Sequence, residues 1–252
     1  MHGVAGPAKA RTMHRMKIFA LLPWVDWLGL ATFLALWVGY GKFSRVLGQR
    51  RPSLSSTTDR YRVYWMREAA ARDPRMLDGL ITQALSHTPS FFSSASILVI
   101  GGLFALLGTA DKANEIVSEI PFAQATSIFV FEFKILVLIG IYVFAFFRFS
   151  WCMRQYTIVA LVIGAMPPPG DFTSGKFDLR TYADRAAEMV KAAAESFHSG
   201  LRAYYFSFAA MAWFISPLAM VVATVVVVLV LYSRDFRSDV LRILGEDHKS
   251  PG

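Results

Sequence analysis

The chain has 252 residues, of which 55% are hydrophobic and only 17% charged, with mean hydropathy +0.43. Soluble domains carry about 25% charged residues, so this composition excludes a water-soluble coat and points to lipid as the solvent. The net charge of +8 reads as the Lys/Arg excess that membrane proteins hold against anionic lipid on their cytoplasmic side, rather than as a nucleic-acid footprint. A single cysteine, Cys152, allows no internal disulfide and no cysteine metal cluster.

In chain order, residues 1–17 form a polar tail with Lys9, Arg11, Arg15 and Lys17. The apolar run 18–41 predicts the first membrane span. It is too long for a signal peptide, is interrupted by Asp26, and is followed by no small-residue cleavage site. Trp24, Trp27, Trp37 and Tyr40 cluster toward its ends, as interfacial aromatics do. Residues 42–58 predict a polar connector. Residues 59–73 predict a helix that Pro74 interrupts, and a second short helix follows from Arg75 to Leu85.

The second span is predicted over 90–109. Ser93, Gly101, Ala105 and Thr109 share a stripe there, and small residues on one face let helix backbones approach closely in lipid. Residues 110–126 predict a short polar connection. The third apolar stretch predicts one long helix, with 128–147 in lipid and the part up to 165 projecting beyond it. The alternative takes 151–166 as a separate fifth span. Residues 166–176, with three consecutive prolines, predict a loop. An amphipathic helix over 178–200 then feeds a fourth span, 202–232, kinked at Pro217, ahead of a C-terminal tail over 236–252.

The expected architecture is therefore all-α: an integral membrane four-helix bundle over 18–235 with amphipathic cytosolic extensions. Nine Lys/Arg precede the second span and six precede the fourth, whereas only Lys112 lies between the second and third. Positive charge stays in the cytoplasm, which puts both long basic connections inside and both termini in the periplasm of a bacterial inner membrane. The four cations of the N-terminal tail run against that orientation.

Candidate functional residues fall into three groups. Asp26, Glu132 and Lys134 are charged positions at one end of the spans, and intramembrane charges often mark ion or proton paths. Asp26 is expected in the headgroup zone beside Trp24 and Trp27, with pairing to Lys134 as the alternative. Arg148, Arg154 and Arg202 lie near the cytoplasmic boundary and are candidates for a lipid headgroup or another anionic ligand, or for snorkelling and pairing with Asp73, Asp78 or Asp184. His87 and His198 each precede a span on the cytoplasmic side and are the candidate haem ligands, although no Cys, Asp or supporting pattern accompanies them. Walker, GxGxxG, HExxH and GxSxG signatures are absent from the sequence, so no catalytic residue, metal or cofactor is assigned.

Six stretches together carry a family resemblance: VDWLGLATFLALWVGYG (25–41), RDPRMLDG (72–79), FFSSASILVIGGLFALLG (91–108), KILVLIGIYVFAFFRFSWCMRQY (134–156), GAMPP (164–168) and FHSGLRAYYFSFAAMAWFISP (197–217). In this order they resemble the DUF599 family over roughly residues 25–235. The resemblance implies a four-helix membrane protein and brings no catalytic residues with it. The expected role is a non-enzymatic accessory or scaffold subunit of an inner-membrane assembly, in contact with membrane lipids and with other membrane subunits or copies of itself. A small transporter using the intramembrane charges is the alternative; local pairing of those charges would count against it. A haem-binding redox protein using His87 and His198 is the third reading.

Overall fold

The computed structural model describes residues 22–119 and 126–246, and every regular element among them is helical. The elements are α1 Trp24–Arg50, α2 Leu54–Ala71, α3 Met76–Leu107, α4 Ala110–Ser118, α5 Ile128–Gly164, α6 Pro169–Thr173, α7 Leu179–Met211, a 3-10 turn Ala212–Phe214, α8 Pro217–Phe236 and α9 Asp239–Glu246. The basic tail 1–17 and the start of the first expected span lie outside the described residues.

Several boundaries differ from the sequence expectation, and each has a local cause. α1 continues through the polar residues 42–50, so the connector shrinks to three residues ending at Ser53. There the Ser53 hydroxyl accepts the Ser56 amide at 3.1 Å, and the Ser56 hydroxyl accepts the Ser53 amide at 2.9 Å. This reciprocal cap satisfies two orphan donors and starts α2 earlier than expected. The short helix after Pro74 and the second span are one 32-residue helix that passes through the buried Pro89. α5 is one continuous helix of 37 residues, about 56 Å long at 1.5 Å per residue, which excludes a separate span at 151–166. Residues 110–118, expected as a connection, form α4, tied by the Asn114 amide donating to the Thr126 carbonyl at 3.1 Å. α7 starts at Asp178, whose carboxylate accepts the Thr181 hydroxyl and amide and the Arg180 amide, holding this exposed carboxyl below its usual pKa.

The largest correction concerns residues 202–232, which do not form one kinked span. α7 ends at Met211, Ser216 caps a new helix by accepting the Ala219 amide at 3.0 Å, and Pro217 occupies its first turn. Proline is favoured at that position because its missing N–H would be unsatisfied there anyway. α8 then runs back alongside α7, as Tyr205 meeting Arg234 shows.

Cross-helix pairs fix the directions of five helices. α1 runs antiparallel to α7, with Asp26 at Trp213, Phe33 at Phe206 and Arg45 at Glu195. It runs parallel to α8, with Gly29 against Pro217 and Met220 and Tyr40 bonded to Asp235. α3 is antiparallel to α5 through Ser93–Ser150 at one end and Leu107 with Phe131 and Ile135 at the other. α5 is antiparallel to α7 through Gln155–Ser196, Tyr142–Ser207 and Lys134–Trp213. The five helices thus run side by side between two ends. At the first end lie Asp26, Leu107, Lys134 and Trp213. At the second lie Tyr40, Arg45, Arg148, Arg202 and Asp235.

Three stretches are long and apolar enough to cross a membrane: Met76–Leu107, Ile128–Gly164 and Pro217–Leu244. Among the described residues, neither α1, which holds most of the first expected span and carries Asp26 in its first turn, nor α7 is one of them. In α7, Ala203, Phe206, Ala209 and Ala210 are at most 2% exposed, so one side of its second half faces protein, while Phe208 and Met211 on the other side remain 62% and 52% exposed. Large apolar side chains on the outer helices instead remain exposed, including Leu98, Phe104, Phe147, Leu218 and Leu229.

A second layer stands beyond the second end. Met66 and Ala70 of α2, Tyr156, Val159 and Ile163 of α5, and Ala183, Ala186 and Val190 of α7 bury one another. The small alanine face of α7 brings α2 and α5 close. Cys152 is buried in the same cluster.

The small-residue stripe of α3 behaves differently from expectation. Ser93 is buried and pairs with Ser150 at 3.2 Å. Gly101, Ala105 and Thr109 are exposed, and a Cβ on Gly101 would meet nothing within 4 Å. α3 instead packs through Ser96, Ile100, Leu103 and Leu107. The close approach falls at Gly200, where an added Cβ would lie 2.6–2.9 Å from the Phe149 ring. Gly200→Ala is expected to destabilise the protein by about 1–3 kcal/mol through overpacking. Adding Phe149→Leu should recover part of that loss in thermal unfolding of the detergent-solubilised protein, whereas Gly102→Ala, in open space, should leave the midpoint within error.

Candidate functional site

At the first end, Asp26 is 4% exposed and Lys134 is 2% exposed. The indole N–H of Trp213 donates to Asp26 Oδ1 at 2.6 Å, and Lys134 Nζ donates to the Trp213 carbonyl at 2.9 Å. The same ammonium lies 5.5 Å from the Trp213 ring centroid. Asp26 therefore does not sit solvated among headgroups beside Trp24, as the sequence suggested. It is held on a tryptophan whose carbonyl holds the opposite charge. A charge at this depth is tolerated only when paired and hydrogen-bonded. Trp213 supplies both contacts because the end of α7 places its side chain and its carbonyl between α1 and α5. Glu132 is half-buried and not part of this arrangement.

At the second end, three guanidinium groups from three helices converge. Arg45 of α1 pairs with Glu195 of α7. Arg148 of α5 lies in the field of Glu195 and Arg45, and its buried Nε has no hydrogen-bond partner. Arg202 of α7 is half-buried and faces Asp235, Arg45, Glu195 and Tyr40. Asp235 already accepts Tyr40 Oη at 2.6 Å and Ser44 Oγ at 3.3 Å. Arg148 and Arg202 thus share Arg45 and Glu195 as neighbours, whereas Arg154 is exposed elsewhere on α5. Two of the three acidic partners expected for them are engaged otherwise: Asp184 with Arg67 at 3.1 Å and Asp78 with Arg72 at 2.7 Å. His198 lies near Arg62, Arg202, Asp235 and Asp59, while His87 is exposed on α3 and is not among the groups that face it.

The second layer holds a buried carboxylate that the sequence offered only as a partner for the boundary arginines. Asp78 is fully buried and accepts both the Trp65 indole at 2.9 Å and Arg72. Trp65 in turn lines a cavity of about 290 Å³ with Tyr61, Ile81, Leu85, Tyr156 and Val190. Three residues before Asp78, Arg75 donates to the carbonyls of Ala69, Ala70, Met166 and Pro167. It closes the C-terminal end of α2 and ties it to the loop after α5.

A family model described as "Protein of unknown function, DUF599" matches residues 28–240. The chain belongs to the DUF599 family. Comparisons with curated proteins and with solved structures return no match.

The stretches that carry the DUF599 resemblance meet one another in space. RDPRMLDG and GAMPP join through Arg75. In GLRAYYF, Gly200 lies under Phe149, Arg202 faces the arginine group, Tyr204 bonds Phe92 and Ser96, Tyr205 meets Arg234, and Phe206 packs on Phe33. The residues missed from sequence, Trp213 and Arg75, left little signal there: an aromatic inside an expected span and an arginine in a basic loop are both ordinary.

Proposed function

We propose that this DUF599 protein is a non-catalytic scaffold subunit of a bacterial inner-membrane assembly, crossing the bilayer five times with its arginine-rich layer in the cytoplasm. The observation that carries this reading is the local pairing of Asp26 and Lys134 through Trp213. A transport path needs charges that face a passage, and these are spent on holding three helices together. Meanwhile the outer face of α3 keeps large apolar residues and the open Gly101–Ala105 surface exposed, a surface suited to lipid and to neighbouring membrane helices. The basic connections all lie at the second end. With five crossings, Arg234 in the last turn of α8 and Arg237 and Arg242 after it join them, which strengthens the charge asymmetry. Extraction into native lipid discs followed by mass measurement tests the role: a complex with other membrane subunits or further copies is expected, and a lone monomer would overturn it.

A further inference from the structure

We propose that the second end of α1, α5 and α7 binds the phosphate of an anionic phospholipid through Arg45, Arg148 and Arg202. The membrane placement it needs is that of the preceding reading; the scaffold role is not required. Glu195 is taken by Arg45, and Asp235 by Tyr40 and Ser44. Arg148 keeps a buried Nε without an acceptor, and the carboxylates around Arg202 act on it only through space. A guanidinium cannot shed its proton, and both Arg148 and Arg202 are only half-buried, so an anion from outside the chain can reach their forks. Phosphate matches the planar fork bidentately and carries the charge that three arginines against two occupied carboxylates still attract.

The surroundings select a lipid as the source of that phosphate. Phe144, Phe147 and Trp151 flank Arg148 on the same side of α5 and are 42%, 63% and 50% exposed. Phe144 also meets Trp37 of α1, ring centroids 5.6 Å apart. An aromatic strip leading from the hydrocarbon to an arginine suits an acyl chain ending in a phosphate, with the tryptophan at the headgroup level.

The test uses the full-length protein in nanodiscs of phosphatidylcholine, of phosphatidylcholine with phosphatidylglycerol, and of phosphatidylcholine with inorganic phosphate added. Native mass spectrometry counts retained lipid, and thermal unfolding reports protection. Retention of phosphatidylglycerol over phosphatidylcholine is expected, weakened roughly tenfold by Arg148→Gln and by Arg202→Gln, the loss of one charge-assisted hydrogen bond each. Arg154→Gln, outside the group, should match the wild type. Arg202→Lys keeps the charge without the fork and should fall between, which separates binding from misfolding. Protection by inorganic phosphate in phosphatidylcholine discs, lost in Arg148→Gln, would overturn the lipid assignment in favour of a soluble phosphate ligand. No selectivity in the wild type, or equal retention by all variants, would overturn the site. Failure of the membrane reading looks different, since the protein would then dissolve without any amphiphile.

Discussion

Lys134→Ala is expected to destabilise the protein by about 3–5 kcal/mol, the range for removing one partner of a buried charge pair. The variant leaves the Asp26 carboxylate on the Trp213 indole with no opposite charge, and it leaves the Trp213 carbonyl without its donor. Asp26→Ala should cost a similar amount for the converse reason. The two losses should not add, because both variants dismantle one unit centred on Trp213. Lys134→Met combined with Asp26→Leu, which removes both charges and restores bulk, should therefore lie closer to the wild type than the sum of the single losses. Tryptophan emission during unfolding in lipid discs is the measurement. Strict additivity would mean that the two charges are independent.

Arg75→Ala should be almost as damaging, at roughly 3–5 kcal/mol, since one guanidinium serves four carbonyls on two segments and a hydrogen bond to a charged group contributes about 1.5–3 kcal/mol. Its removal frees the end of α2 and the Met166–Pro167 loop together. Arg75→Lys should recover less than half, because a point charge cannot reach both segments as the fork does. Limited proteolysis in the presence of detergent should show new cleavage between residues 166 and 178 in both variants, and unchanged cleavage would contradict the clamp.

The helical class and most helix positions were legible because lipid leaves a strong mark on a sequence: residues that face hydrocarbon must be apolar over many turns. That same mark misled at α7. Its second half carries apolar residues up to Met211 and the apolar run continues through α8, so the end of one helix and the whole of the next read as a single span. Pro217 looked like a kink because a proline that breaks a helix and one that begins the next have the same local signature; only the Tyr205–Arg234 and Tyr40–Asp235 pairs show the reversal. The arginine group was half legible. Arg148 and Arg202 stood out at the boundary, but Arg45 is more than a hundred residues away in sequence, and its pairing with Glu195 depends on the helix order. Arg154 looked equivalent and is not, because six residues along a helix turn it to another side. Gly101, Ala105 and Thr109 formed a plausible packing stripe, yet α3 turns Ser96, Ile100 and Leu103 inward instead.

Five crossings with a cytoplasmic arginine end can be tested by labelling with a membrane-impermeant maleimide in intact cells. In a Cys152→Ser background, Lys112→Cys should label from outside, whereas Arg50→Cys and Asp239→Cys should label only after permeabilisation. Labelling of Asp239→Cys from outside together with Lys112→Cys would contradict the α7–α8 reversal and return the chain to four crossings.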